Sequence, residues 1–405
     1  HGFLFDFVSA DTKRYEVSDT RDGGMPFVNI VFTCGGTAGH INPALAVAGI
    51  LRDRMPDCGI LFVGANGKME TDLVPRAGYD IVTIEVTNIH RSLKPSEIAY
   101  NFRSLHNARQ ATKDARKIIE DFQPDVAIGT GGYVCYPVLK AAAQLGIPTV
   151  VHESNAVPGL TTKMLAGAVD RILVGFEESK QHYSKQEKVV VTGTPVRGAF
   201  TACSKAEAKR QLGLDPDRPL VVSVWGSLGA SYMNEVMTAF ISRAAVTDAP
   251  FALIHSAGRN GYEKMHAALL EKCSADLAAH GMDVRPYIYD MPLVMDAADL
   301  VLCRAGASTL AELSCIGKPA ILIPSPNVTN NHQERNARVL EHAGGAKVLL
   351  EGAFTADDLY NLVSDLLADP AQLAQMAQNM KSAGVSDAAE RIADLVLKLA
   401  DRHAK

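Results

Sequence analysis

The sequence has no apolar run that reaches the ~18 residues needed by a membrane-spanning helix, so we expect no transmembrane segment. No signal-peptide pattern is evident either. The seven cysteines are scattered and include no C-x-x-C pair, which argues against both a disulfide framework and a zinc site. Together these absences favour a protein of the reducing cytoplasm.

Signatures of several ligand classes are also missing. A formal net charge of -5 argues against a general nucleic-acid binder, because such proteins usually carry a basic excess that neutralises phosphates. Neither G-x-G-x-x-G nor G-x-x-x-x-G-K-[ST] occurs, which disfavours NAD and ATP. An Asp-x-Asp spacing from Asp215 to Asp217 encloses a proline in a predicted turn. We therefore expect neither a metal site nor a cofactor.

The chain does contain enough apolar residues for two cores. Its 405 residues, 47% of them hydrophobic, should form two domains. Residues 1–24 differ from the rest, because a polar run there ends in Asp22-Gly-Gly24 just ahead of Met25 and the first convincing strand. We interpret residues 1–24 as a leader or added extension rather than a native arm.

Residues 25–195 alternate apolar strands with helical patterns. A strand at 28–33 leads into a glycine-rich turn that ends at His40, and Pro43 stands where a helix should begin. Further strands are predicted near 59–63, 81–86, 126–128, 148–152 and 171–174. This pattern is typical of a doubly wound α/β domain with a parallel sheet.

Residues 196–384 repeat the pattern. A strand at 220–225 leads into the turn Gly226-Ser-Leu-Gly229 and a helix from about Met233, and later strands are predicted near 251–255 and 284–289. The two halves predict two Rossmann-like domains that face each other across a cleft, joined by a hinge at 192–197. The tail, 385–405, has apolar residues at helical spacing and could pack on either domain.

The stretch 299–324 predicts a strand, a loop, a helix and a second strand. Ser308 and Thr309 would cap the helix, and Gly317 would end it. Ligands of parallel sheets bind at the carboxyl ends of the strands, where helix N-termini can bind phosphate. Glu312, about one turn inside this helix, could accept hydrogen bonds from two ribose hydroxyls. Alternatively, it only complements the helix dipole.

Several separate motifs occur in a fixed order along the chain. They are Gly35-Gly-Thr-Ala-Gly-His40, Gly131-Gly-Tyr-Val134, His152-Glu-Ser-Asn155, Gly193-Thr-Pro-Val-Arg197, Gly226-Ser-Leu-Gly229, Arg304-Ala-Gly306 and Asn331-His-Gln-Glu-Arg-Asn336. From about residue 25 to the C-terminus the chain resembles the MurG family of bacterial peptidoglycan glycosyltransferases. The resemblance implies the GT-B fold, with the acceptor in the first domain, the UDP-sugar in the second, and a last helix that returns to the first. It also implies transfer of N-acetylglucosamine from UDP-N-acetylglucosamine to lipid I, with inversion, to form lipid II.

The same resemblance implies roles for single residues. Glu312 would hold the ribose hydroxyls, Ser227 the diphosphate, and Arg197 would add positive charge beside it. Gln333 and Asn155 would contact the sugar. The remaining substrate-binding positions are Thr37, Gly39, Gly306, Ser308 and Thr309. Residues that depart from those common in the family are Ala38, Ser154, Trp225 and His332.

His40 is the predicted catalytic base. It precedes a predicted helix, whose positive dipole end disfavours imidazolium, and a neutral imidazole can take the proton of an attacking hydroxyl. Alternatively, His40 only positions the acceptor. Competing functions for the whole chain are a UDP-N-acetylglucosamine epimerase, a transferase for another acceptor, and a non-catalytic nucleotide-sugar binding protein.

A basic segment predicts contact with an anionic membrane surface. Ile98, Phe102 and Leu105 form an apolar stripe at helical spacing, which could also pack on the sheet instead. The basic residues are Arg91, Lys94, Arg103, Arg109, Lys113, Arg116 and Lys117. With a lipid-linked acceptor, this segment predicts a peripheral protein on the cytoplasmic face of the bacterial inner (plasma) membrane, with no nucleic-acid partner.

Overall fold

The computed structural model describes residues 28–86, 95–197, 203–226, 229–273 and 276–403. The predicted leader at 1–24 lies outside these ranges, and so does Ser227. The side chains of the predicted apolar stripe, Ile98, Phe102 and Leu105, also lie outside the described part. Within the described ranges, no helix combines the length and the apolar character needed to cross a bilayer.

The first domain is built on a parallel sheet of seven described strands in the order β3-β2-β1-β4-β5-β6-β7. The strands are β1 (Asn29–Thr33), β2 (Gly59–Ala65), β3 (Asp80–Ile84), β4 (Val126–Gly129), β5 (Thr149–Glu153), β6 (Arg171–Val174) and β7 (Val189–Val191). The helices are α1 (Ala38–Arg54), α2 (Glu70–Arg76), α3 (Pro95–Phe122), α4 (Cys135–Gln144) and α5 (Leu160–Leu165), followed by short 3-10 helices at Glu177–His182 and Gln186–Lys188.

The second domain has a parallel sheet of six described strands in the order β10-β9-β8-β11-β12-β13. The strands are β8 (Leu220–Val224), β9 (Ala252–Ser256), β10 (Met282–Arg285), β11 (Leu300–Cys303), β12 (Ala320–Leu322) and β13 (Ala346–Val348). Its helices are α6 (Lys205–Gln211), α7 (Ser231–Val246), α8 (Tyr262–Lys272), α9 (Met291–Ala297), α10 (Ala307–Ile316), α11 (His332–His342), α12 (Ala356–Ala368) and α13 (Pro370–Ala383), with a 3-10 turn at Thr329–Asn331. A last helix, α14 (Ala388–His403), follows.

Helices cover both faces of each sheet, which explains why the central strands are continuous apolar runs. In β1, Ile30 and Phe32 are buried in a core shared with α1, whereas Val31 packs into the opposite core with α3 and α4. All five residues of β1 are buried. The predicted α/β class and the two Rossmann-like domains of the GT-B arrangement are confirmed.

The last helix packs on the first domain. Ile392, Ala393 and Val396 of α14 are buried in the same core as Ile41 of α1. An ion pair between Arg54 and Asp394 lies at the edge of this contact. The chain therefore crosses from the second domain back to the first after α13.

Some boundaries differ from the prediction. The sequence does not predict β7 or β13, each three residues long and at the edge of its sheet. Strand β10 ends at Arg285 rather than near residue 289. Helix α1 begins at Ala38 and not at Pro43, so Pro43 lies inside the helix and His40 in its first turn.

Candidate active site

His40 lies just beyond the carboxyl end of the central strand β1. Its Nδ1 is 2.9 Å from the Gly35 carbonyl oxygen and 3.4 Å from the Thr37 hydroxyl. Because a carbonyl oxygen only accepts, Nδ1 carries the proton of the neutral ring and Nε2 keeps a lone pair. The ring is therefore arranged to accept a proton at Nε2.

The turn after β4 holds this ring in place. Gly131 has φ 125°, and a Cβ there would lie 2.4 Å from Cδ2 of His40. Glycine allows both this backbone conformation and this close approach. The Gly35 N–H donates to the Gly131 carbonyl at 3.1 Å, and the Thr130 hydroxyl donates to the His40 carbonyl at 2.7 Å. The motif at 131–134 thus supports the predicted base and is more than a strand-end turn.

A fully buried carboxylate, Glu70, fixes the glycine-rich turn from the other side. One oxygen accepts from the Gly36 N–H at 2.9 Å, and the other accepts from the Ala65 N–H at 2.9 Å. Glu70 carries no sequence signal for this role, because an acid at the start of a short helix usually complements the dipole. Its partners become visible only when β1 and β2 are paired.

A second buried carboxylate organises the loop after β5. One oxygen of Glu153 accepts from the Asn155 N–H at 3.1 Å and from its side-chain amide at 2.9 Å. The other accepts from the Gly159 N–H and the Thr162 hydroxyl, both at 2.8 Å. These donors satisfy a carboxylate that is only 5% exposed. The loop therefore presents Asn155 in a fixed orientation.

The turn after β4 and the loop after β5 both line a cavity of ≈ 500 Å³ between the domains, a size that suits a sugar. At its wall, Nε2 of His152 contacts the Gly193 carbonyl at 2.9 Å, and burial lowers the pKa of His152. The cavity is lined by His40, Thr130, Gly131, Gly132, Tyr133, His152, Glu153, Ser154, Asn155, Val157, Gly159, Leu160, Thr161 and Thr162 of the first domain and by Asn330 and His332 of the second.

The second domain reaches the same region with the N-terminus of α10. The Ser308 hydroxyl donates to the Gly39 carbonyl oxygen at 3.2 Å. In a regular helix this carbonyl would accept from the N–H four residues later, but that residue is Pro43, which has none. Pro43 thus frees the Gly39 carbonyl for a contact between the domains. The N-termini of α1 and α10 meet at this point.

The cap of α10 differs from the prediction. Gly306 is the N-cap, without a side-chain cap bond, and Ser308 and Thr309 lie inside the first turn. The Ser308 hydroxyl is used by the interdomain contact with Gly39 rather than by its own helix. The predicted end of the helix is confirmed, because Gly317 has the left-handed φ of 66°.

The turn after β8 needs both of its glycines. Gly226 has φ 91°, and Gly229 has φ 79°. A Cβ at Gly229 would lie 2.2 Å from the Ala257 carbonyl oxygen at the end of β9. The predicted diphosphate loop is thus a tight turn at the carboxyl edge of the sheet, although Ser227 itself lies outside the described residues.

Glu312 lies on α10, and most of its side chain is buried. Burial raises the pKa of its carboxyl to about 7. Among the residues that the structure describes, none donates a hydrogen bond or forms an ion pair with this carboxylate. Glu312 is therefore a desolvated acceptor, and a ligand with two adjacent hydroxyls would supply the missing donors.

The other predicted site residues lie around these groups. The Gln333 side-chain oxygen accepts from the Ser325 N–H at 2.9 Å, which leaves its amide nitrogen as the donor for a ligand. His332 lines the cavity together with His40 and Asn155. Arg197 is exposed and is not among the lining residues. The roles of Arg197 and Gln333 stay predictions.

Comparisons with known proteins agree with this geometry. Models of the glycosyltransferase family 28 N-terminal and C-terminal domains match residues 30–174 and 220–392. The crystal structure of Acinetobacter baumannii MurG has a TM-score of 0.72 and 26% identity, covering 92% of this chain and 99% of that one. A UDP-N-acetylglucosamine--N-acetylmuramyl-(pentapeptide) pyrophosphoryl-undecaprenol N-acetylglucosamine transferase of Acetivibrio thermocellus is 43% identical over 369 residues, 91% of this chain and 97% of the relative. The chain belongs to the MurG family of glycosyltransferases.

A further MurG-family relative of the same name, from a Thermoanaerobacter species, is 44% identical over 368 residues, 90% of this chain and 98% of the relative. The two family models divide the chain as its sheets do, one spanning β1 to β6 and the other β8 to α14. The cavity and the meeting point of α1 and α10 lie between these two domains.

Proposed function

We propose that the protein transfers N-acetylglucosamine from UDP-N-acetylglucosamine to lipid I, the undecaprenyl-diphosphate-linked N-acetylmuramyl-pentapeptide, and so forms lipid II. The observation that carries the proposal is His40, whose Nδ1 is bound to the Gly35 carbonyl and which lines the cavity between the domains. The names of the relatives specify the same donor and acceptor for those proteins.

The reaction is a displacement at the anomeric carbon of the donor sugar. A hydroxyl oxygen of the muramyl sugar bonds to this carbon, the bond from the carbon to the diphosphate oxygen breaks, and UDP leaves with the electron pair. The hydroxyl proton passes to Nε2 of His40. Attack in line with the leaving group inverts the configuration and gives a β-linkage.

The leaving diphosphate needs stabilisation of its negative charge. The N-termini of α1 and α10 meet and present N–H groups and positive dipole ends, and the loop after β8 would add to them. Ser227 and Thr309 would donate hydroxyl hydrogen bonds, and Arg197 would add a positive charge. Such groups can stabilise a diphosphate leaving group without a metal ion.

The remaining donor contacts divide between the domains. Glu312 would accept hydrogen bonds from the ribose hydroxyls, because its side chain is mostly buried and no described residue donates to its carboxylate. Gln333 would donate to the sugar through its free amide nitrogen, and Asn155 would face the sugar from the first domain. Thr37, the N-cap of α1, Gly39, and Gly306, the N-cap of α10, would contact the donor between the helix N-termini.

Labelled UDP-N-acetylglucosamine and a lipid I analogue test the proposed function directly. The expected product is a labelled, β-linked disaccharide lipid, and a deoxy muramyl analogue that lacks the attacking hydroxyl should give none. Epimerised UDP-sugar without transfer would identify an epimerase instead. Binding of UDP-sugar without any turnover would identify a nucleotide-sugar binding protein.

We also propose that α3 faces an anionic lipid surface on the cytoplasmic side of the inner membrane. Ala111, Ala115 and Ile119 are buried toward the sheet, whereas Arg109 and Lys113 are exposed. This arrangement leaves cations on the outer face of the helix, each worth ~1 kcal/mol near anionic lipid.

Liposome flotation tests this membrane contact. Changing Arg103 and Arg109 together to Ala should reduce binding to anionic vesicles, whereas changing Lys264 and Lys272, two exposed lysines on α8 of the second domain, should not. Equal binding of the wild-type protein to neutral and anionic vesicles would count against the basic surface.

A further inference from the structure

Asn336, in the second turn of α11, is completely buried although its side chain is polar. Its side-chain oxygen accepts from the Ala156 N–H at 2.9 Å. Its side-chain nitrogen donates to the Asn155 side-chain oxygen at 3.1 Å and to the Ala305 carbonyl oxygen at 3.3 Å. Two of these partners belong to the first domain, so the amide bridges the cleft.

We propose that Asn336 is a positioning residue that holds the two domains in the arrangement needed for transfer. Its amide joins the loop after β5, which carries Asn155, to the loop before α10, which carries Ala305. The inference rests on the proposed function, because it assigns the Asn155 loop and α10 to one reaction.

Only a side chain with both a donor and an acceptor can make these three contacts. Alanine would leave the buried Ala156 N–H without its acceptor, and unsatisfied buried groups are destabilising. Aspartate would still accept from Ala156, but it would place a carboxylate against the oxygens of Asn155 and Ala305. Opening the cleft would break the contacts with Ala156 and Asn155. The amide therefore favours the closed arrangement.

The bridge continues into the site on both sides. Asn155 donates to Glu153, whose carboxylate fixes the loop as far as Thr162. On the other side, Ala305 directly precedes Gly306, the N-cap of α10. A small change in the angle between the domains would thus move Asn155 relative to the donor helix. Misplacement of reacting groups by about 1 Å can cost ~10²-fold in rate.

Kinetic and exchange measurements on two variants test the proposal. Asn336→Ala should lower kcat by ~10–100-fold, the range expected of misalignment by up to about 1 Å. UDP affinity should stay close to the wild-type value, because most of the proposed contacts with UDP lie in the second domain. Amide hydrogen exchange of the segment that contains Ala156 should accelerate. Asn336→Asp should lose activity near neutral pH and regain part of it, relative to wild type, at lower pH, where a protonated carboxyl donates again.

Asn29→Ala is the matched control. Asn29 is also buried, and its amide donates to the Phe122 carbonyl at 3.3 Å, but it lies at the amino end of β1 within one domain. This variant should lower the melting temperature without lowering kcat.

Two results would overturn the role of Asn336. One is wild-type kcat together with unchanged exchange at Ala156 in Asn336→Ala. The other is a loss of kcat that only parallels a loss of UDP affinity. Hydrogen exchange and UDP affinity are both measured without the acceptor. They therefore test the role of Asn336 independently of the proposed transfer to lipid I. A wild-type protein that transfers no sugar to lipid I would instead overturn the proposed function.

Discussion

The two domains differ in how they treat the buried carboxylates near the cleft. In the first domain, N–H and O–H groups of the protein occupy both oxygens of Glu70 and of Glu153. In the second, Glu312 is mostly but not fully buried, no described residue donates to its carboxylate, and burial raises its pKa to about 7. The first domain thus satisfies its buried carboxylates before any substrate binds, whereas the second keeps a mostly buried carboxylate that a ligand can satisfy.

This contrast belongs to the site and not to the whole second domain. Asp299 lies at the amino end of β11, the end remote from the cleft, and it is mostly buried. Its carboxylate pairs with Lys209 at 2.7 Å and accepts from the Leu220 N–H at 2.8 Å. The second domain therefore satisfies a structural carboxylate as fully as the first does. Glu312 is the exception that points to a ligand.

The largest effect should come from the first domain. His40→Ala should lower kcat by ~10²–10⁴-fold, the usual range for general-base catalysis. Calorimetry should find nearly unchanged affinity for UDP-N-acetylglucosamine, because most of the proposed donor contacts lie in the second domain. His40→Gln is the control, since its amide can still donate to the Gly35 carbonyl but cannot take the proton. If kcat fell less than about tenfold in both variants, below that range, His40 would only position the acceptor.

A smaller effect should come from the unsatisfied carboxylate. Glu312→Ala should weaken UDP binding by ~1.5–3 kcal/mol, the range for hydrogen bonds to a charged group. Calorimetric titration with UDP measures this directly, and Glu178→Ala, an exposed acid of the first domain, is the control that should change nothing. Unchanged UDP affinity would exclude Glu312 from the donor site and would remove the contrast between the domains.

The sequence alone predicts the strands and glycine turns because these depend on local patterns. Continuous apolar runs and flanking glycines mark β1, β8 and β11 directly. In contrast, β13 is a short edge strand with an exposed Lys347 at its centre, and three residues give no usable period. The position of Glu312 after a strand and a glycine turn already indicates ribose binding, whereas the role of Gln333 comes only from the family resemblance, because no spacing assigns it.

The supporting residues could not be predicted because their partners are distant in the chain. Pro43 has the signature of a first helical residue, yet the carbonyl it frees is used by Ser308, 269 residues after Gly39. Asn336 lies in a recognisable motif, but its first-domain partner Asn155 is 181 residues away. Such contacts follow from the pairing of two domains, which local propensity does not contain.

Conservative substitutions of the two types of carboxylate should change stability in opposite directions. Glu153→Gln should lower the free energy of unfolding by ~1–2 kcal/mol, because a neutral amide cannot accept from all of its donors. Glu312→Gln should leave stability unchanged or raise it. Urea unfolding at pH 8 measures both variants, and equal destabilisation by the two would contradict the comparison.

The sign of the Glu312 effect follows from its pKa. The folded-state pKa of about 7 lies above the ordinary value of 4.5, so burial favours the protonated form. Its contribution to stability is therefore present in full below about pH 4.5 and is lost as the pH rises through 7. The relative stability of Glu312→Gln should accordingly be greatest above pH 7 and should decline toward pH 5.

The smallest expected effect is the pH dependence of donor affinity, which tests the ionisation of Glu312 most directly. Two ribose hydroxyls can both donate to an ionised Glu312, whereas a protonated carboxyl is a weaker acceptor. Affinity for the donor should therefore follow the ionised fraction of Glu312. With a free-state pKa of about 7, affinity for UDP-N-acetylglucosamine should fall about twofold from its high-pH plateau at pH 7 and approach tenfold at pH 6. The diphosphate diester of this donor does not titrate in that range, so the group whose ionisation changes the affinity must belong to the protein. Glu312→Gln should bind more weakly with a flat profile, and an equal slope in this variant would assign the titration to another group.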